Sequence, residues 1–174
     1  MKTIKYYIFL IIIFLGASQA KAQFKSAELS VSGLTCSMCS FATEKALRTL
    51  DFIEDVKPDL NTNVFALTFK SGSKVSIDQI QAKVKGAGFS VFKLVTVFNF
   101  DNVNVKNGYD FSYNGESYHF MNVPDKTLKG DVRITFLDKG FVADTDYQKM
   151  LKEAQYKGLA NIKAGNQRVY HVTI

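Results

Sequence analysis

The sequence reads as an α+β protein: a βαββαβ unit over residues 24–98, then a small, mainly antiparallel β segment over 99–174 with one helix. Three observations predict it. Apolar alternation of period two and two stretches of helical period succeed one another in a compact order. From Asn99 the composition shifts to Asn, Gly, Tyr and Phe, in short runs separated by turn formers. The apolar fraction of 47% and charged fraction of 22% are those of a chain that buries a core.

The elements follow in order. Residues 27–33 alternate, with Leu29 and Val31 apolar, and read as a strand ending at Gly33. Residues 40–50 change period, and Phe41, Ala42, Lys45, Ala46 and Leu50 suit one helical face. Two strands are expected at 52–57 and 63–69, the second with Phe65, Leu67 and Phe69 alternating. Pro58-Asp59-Leu60-Asn61 supplies turn formers between them. Ser76 or Ser73 is suited to cap a helix over 76–86, with Ile77, Ile80 and Val84 inward. Gly86-Ala87-Gly88 closes it, and a fourth strand starts at 89–95; no linker follows, and Val95, Val97 and Phe98 can carry this strand directly into the second half. This order is a split βαβ unit.

In the second half, strands are expected at 109–113, 117–123, 131–137 and 168–174. Asn114-Gly115 between alternating runs is a hairpin signal, and Asp138-Lys139-Gly140 reads as a further turn. Tyr147, Met150, Leu151 and Ala154 recur at helical spacing and predict a helix over 145–157. A partly closed, barrel-like arrangement suits these strands.

Residues 1–22 read as a signal peptide. Lys2 and Lys5 precede the apolar run Ile8–Leu15, and Ala20-Lys21-Ala22 places small residues for cleavage before Gln23. The apolar stretch is shorter than the roughly 20 residues that cross a bilayer, which disfavours an uncleaved anchor. The expected location is therefore exported, in the periplasm. Removing the leader takes away three lysines and no acid, so the net charge falls from +6 to +3. The remaining charge forms no basic stripe, which excludes nucleic acid as an expected partner.

Both cysteines lie in one motif, Cys36-Ser37-Met38-Cys39, at a strand-to-helix junction. Thiolates are soft ligands, and a pair of them suits Cu(I), whereas structural Zn(II) takes four protein ligands. The start of a helix favours the thiolate form. The same spacing also marks thiol–disulfide exchange centres, and in an oxidising compartment the two sulfurs can pair. Met38 offers a further soft atom, although the variable positions of such loops more often face solvent.

Gly33-Leu34-Thr35-Cys36-Ser37-Met38-Cys39 resembles the Gly-Met-Thr-Cys-x-x-Cys loop of the heavy-metal-associated domain family. The resemblance extends through Ala46-Leu47, the Val64–Phe69 strand and Ala87-Gly88-Phe89. It implies a ferredoxin-like fold whose members take up Cu(I), or less often Hg(II), Zn(II) or Cd(II), and pass it on through shared cysteine ligation. Carried over, Cys36 and Cys39 are the ligands, Gly33 and Thr35 shape the loop, and Leu34 stands in for the inward-packing Met. Leu for Met conserves volume. Phe89 takes the position that shields the site. Asp51-Phe52 departs from the family's usual Gly-Val. No acid lies within Gly33–Cys39 to recruit harder ions. The implied partner is a metal-transporting membrane protein or another envelope metal-binding protein. The leader and loop also resemble periplasmic mercury-binding proteins, which lack a second half.

His119, Met121 and His171 form a weaker candidate for a second soft site, since His119 and Met121 share a strand face. Packing or surface roles are the plainer reading of all three. Asp138, Asp144, Asp146 and Glu153 read as helix caps and solvated surface. No Ser–His–acid arrangement or phosphate loop is evident, so neither an enzyme nor a small-molecule substrate is expected. Residues 99–174 read as a docking module for the metal domain, and an interaction protein in which metal only supports the fold is the alternative.

Overall fold

The computed structural model describes residues 23–174. The leader expected at 1–22 lies outside the described residues. The first four strands are β1 (Gln23–Ser32), β2 (Ile53–Asp59), β3 (Val64–Phe69) and β4 (Ser90–Val105). Helices α1 (Ser37–Arg48) and α2 (Ile77–Gly86) complete the βαββαβ order. The second half adds β5 (Asp110–Tyr113), β6 (Glu116–Phe120), β7 (Lys126–Phe136), α3 (Asp144–Met150), β8 (Lys163–Ala164) and β9 (Gln167–Thr173).

The strands join in the order β2-β3-β1-β4-β7-β9-β6-β5, with β8 paired to β9 alone. Each neighbouring pair among the first four is antiparallel, which with α1 and α2 is the ferredoxin-like arrangement. The sheet then continues without a break, because β4 pairs with β1 along one edge and with β7 along the other. The boundary expected between residues 98 and 99 therefore falls inside a single 16-residue strand. Antiparallel pairing prevails beyond it, with one exception: β6 and β9 run parallel.

A barrel is only approximated. β5 is four strands from β4 along the sheet, yet Tyr113 on β5 packs edge-on against Phe98 at 4.9 Å and against Phe24 of β1 at 5.8 Å. The sheet curls until its aromatic rings meet, without hydrogen bonds closing the seam. Phe24, Phe98, Phe100, Tyr118, Phe136 and Tyr170 fill the concave side. Their rings meet mostly edge-on or tilted, the arrangements that ring quadrupoles favour. The core of the first half, Leu29, Leu47, Phe65, Ile80 and Leu94 among others, belongs to the same cluster.

Two helices differ from expectation. The inner face of α1 is Ser40, Thr43 and Leu47, followed by Leu50, whereas Phe41 is 56% exposed and Ala42 faces out. Thr43 tolerates burial because its hydroxyl donates to the Cys39 carbonyl at 3.1 Å, so two small polar residues replace the apolar ones expected. The helix expected at 145–157 stops at Met150, and a 3-10 turn follows at Ala154–Tyr156. That turn brings Tyr156 and Leu159 back over Met121, Leu137 and Tyr147, forming a second, smaller apolar cluster. Asn114 and Gly115 both take positive φ, as a tight hairpin between β5 and β6 requires. Among the described residues no helix is long and apolar enough to cross a membrane.

Candidate metal centre

β1 ends at Ser32, and Gly33 turns the chain with φ of +90°, a conformation that carries little cost only for glycine. Phe89, at the entry to β4, packs its ring beside Gly33, 3.5 Å from where a Cβ would stand, which is ordinary contact distance. The loop is thereby fixed between the end of β1 and the start of β4. Leu34 is half-buried against the core, as the inward role implies, and Thr35 is exposed.

Cys36 is the N-cap of α1, with extended backbone, and Cys39 lies in the first helical turn. The Cys36 carbonyl accepts from the Cys39 and Ser40 amides at 3.1 and 3.3 Å. The Sγ atoms stand 2.9 Å apart; Cys36 is exposed and Cys39 half-buried. Cys39 is held below the ordinary thiol range, first by the Cys36 side chain and then by hydrogen bonding from Thr35. The first turn of α1 carries no acid, while Lys45 and Arg48 occupy its last turn. The positive end of the helix dipole is thus free to act on the sulfurs.

The arrangement suits a soft ion presented at the surface. Bonds of about 2.3 Å from two thiolates to one ion separate the sulfurs by up to about 4.6 Å, so the pair must spread from its present contact. Cys36 lies outside the helix and is exposed, so its side chain can swing without disturbing α1. Met38 is 69% exposed and Phe41 56%, three residues apart in α1, so two apolar side chains stand open to solvent near the loop. Phe41 is the feature that apolar periodicity concealed, because it was assigned to the core.

An open groove of about 990 Å³ lies on the Phe89 side of this loop, lined by Gln81, Lys85, Phe92, Gly140, Val142 and Ile162 among others. Both halves of the chain contribute to it.

Of the weaker candidates, His119 and His171 are brought together. They are direct partners across β6 and β9, with ring centroids 5.6 Å apart. Met121 follows on the same strand face but is buried in the Leu137, Tyr147 and Leu159 cluster. Asp144 and Asp146 sit in the first turn of α3, where carboxylates offset the helix dipole. Asp138 differs from the surface role expected of it. It is buried and accepts hydrogen bonds from the backbone amide of His171 and, at 2.8 Å, from its ring.

The heavy-metal-associated domain model matches residues 28–90. Copper-transporting ATPase 1 of Rhizobium meliloti (strain 1021) is 38% identical over 66 residues, which are 38% of this chain and 8% of the ATPase. The chain thus spans less than a tenth of that relative's length. Among solved structures, the yeast copper transporter domain Ccc2a is 28% identical over 38% of this chain and 90% of its own, with a TM-score of 0.35. Oxidised MerP from Ralstonia metallidurans CH34 is 29% identical over 41% of this chain and 97% of its own, also at 0.35. Loop, element order and family match coincide, and residues 28–90 are a heavy-metal-associated domain.

Proposed function

We propose that the protein is an exported Cu(I) carrier or buffer that holds its ion between Cys36 and Cys39 and releases it by ligand exchange. The observation that carries this reading is the thiol pair itself. Two sulfurs lie within 2.9 Å at the start of a helix whose first turn has no acid, at the surface of a heavy-metal-associated domain. Two thiolates satisfy a monovalent d10 ion, which accepts low coordination. They leave Zn(II) short of its usual four protein ligands.

Exposure makes transfer feasible. An incoming thiolate can approach the Cys36 side of the ion while Cys39 still holds it, so the ion need not pass through water. The partner class is a metal-transporting membrane protein or another envelope metal-binding protein. Met38 and Phe41 offer it apolar contact beside the ion. X-ray absorption of the protein loaded with one Cu(I) should show sulfur ligands only, and a nitrogen- or oxygen-dominated first shell would contradict the reading.

Export rests on the leader-like residues 1–22. N-terminal sequencing of the native protein should start at Gln23, and an intact Met1 would contradict it.

The short Sγ–Sγ distance favours one other reading, thiol–disulfide exchange at the same pair. That reading requires catalytic disulfide reduction or oxidation in a turnover assay, which the carrier reading does not.

A further inference from the structure

We propose that His119 and His171 form a second Cu(I) site, on the outer face of the sheet and separate from the cysteine loop. Asp110, His119, His171 and Asp138 form a row across this face. Asp110 of β5 is the register partner of His119 on β6, and its Oδ1 lies 2.8 Å from the His119 Nδ1. His119 is the register partner of His171 on β9. Asp138, just past β7, places its Oδ1 2.8 Å from the His171 Nδ1. Each imidazole is therefore held at Nδ1 by its own carboxylate, one on either side, and the two rings meet in the middle.

This is how proteins prepare histidines for metal. A ring that donates Nδ1–H to a carboxylate is fixed in orientation, and its Nε2 becomes a more basic lone-pair donor. Among the described residues neither Nε2 takes a hydrogen bond. His119 is half-buried and His171 is buried, so an ion would enter from the His119 side. An ion about 2 Å from each of two imidazole nitrogens puts the ring centroids about 6 Å apart in a linear pair and about 5 Å apart at a tetrahedral angle, so any shorter separation than the linear one requires a bent site. The observed separation is 5.6 Å.

The donor set selects the ion. Among the described residues no group of three or more His, Cys, Asp and Glu side chains is placed to hold a metal, so an ion here would have the two imidazoles as its protein ligands. Two nitrogens leave Zn(II) under-coordinated but suffice for Cu(I). Met121 is committed to its apolar cluster and is not assigned as a ligand. Imidazoles hold Cu(I) less strongly than thiolates do, so this site would fill second.

The Asp–His pairs would keep β5 with β6, and β7 with β9, in register whether or not metal binds, so the test must read Nε2 itself. The Cys36→Ser/Cys39→Ser protein, titrated anaerobically with Cu(I) against a weak chelator, should bind one equivalent. Imidazole ¹⁵N NMR should show the Nε2 resonances of His119 and His171 moving with the titration. Adding His119→Gln should weaken binding at least tenfold while the melting temperature of the metal-free protein stays within a few degrees. Absence of binding in the folded cysteine-free protein would overturn the proposal, as would binding that leaves both Nε2 resonances unmoved. Neither outcome bears on the thiol site, which the cysteine-free protein lacks.

Discussion

Cys39 combines two sources of thiolate stabilisation, the neighbouring Cys36 thiol and donors from Thr35, and both act at the start of a helix. Its folded pKa lies below the ordinary thiol value, so reactivity should persist as pH falls below that value. Alkylation of reduced protein, resolved by mass spectrometry, should give Cys39 a lower pH midpoint in the folded protein than in the same protein unfolded in urea. A folded midpoint at or above the unfolded one would contradict the geometry. Gly33, Leu34, Cys36 and Cys39 stand out in the sequence as one short motif with fixed spacing, and Phe89 only through the family resemblance. Phe41 does not stand out, since an exposed aromatic and a core aromatic look alike in a periodic pattern. Thr43 is buried with its hydroxyl donating to the Cys39 carbonyl, a contact that periodicity does not record.

Among the elements, β4 was the hardest to read. The composition shift at Asn99 suggested a boundary, yet Phe98 and Phe100 keep their inward phase on either side of it. Asn99 lies between them on the opposite face and hydrogen-bonds to Asp131 of β7. The shift is therefore a change in what the outer face carries, not a break in the strand. β6 holds a titratable group whose burial has a cost. Glu116 accepts from the Tyr118 hydroxyl at 2.9 Å, but burial is the larger effect and raises its pKa. Because the folded value exceeds the unfolded one, stability is greatest below the unfolded pKa and falls as pH rises through the folded pKa. Glu116→Gln keeps an acceptor for Tyr118 and removes the charge. It should raise the melting temperature at pH 7 and leave it nearly unchanged at pH 4. An equal change at both values would mean that the charge is not the cause.

At the scale of the molecule, the halves share β4 and one hydrophobic core, and Phe98 sits where they meet. Exposed ion pairs such as Glu28–Arg133 also link β1 to β7, but such pairs contribute about 1 kcal/mol or less. Shared packing therefore dominates, and calorimetry of residues 23–174 should show one transition with agreeing calorimetric and van't Hoff enthalpies. Phe98→Ala should lower the stability of that single transition by about 3–5 kcal/mol. Two separable transitions, with only one moved by Phe98→Ala, would show that the halves unfold independently. The strand and hairpin content of the second half was legible from alternation and from Asn114-Gly115. The run of the fourth strand into it was legible from Val95, Val97 and Phe98, but the pairing of β4 with β7 was not, because register between distant strands leaves no local mark.

The central claim is that Cys36 and Cys39 hold Cu(I), and an anaerobic competition titration against a strong Cu(I) chelator tests it most directly. The reduced protein should retain one equivalent under conditions that strip weaker sites, and Cys36→Ser/Cys39→Ser should retain none. Retention of that equivalent without the cysteines, or its absence from the reduced wild type, would contradict the account.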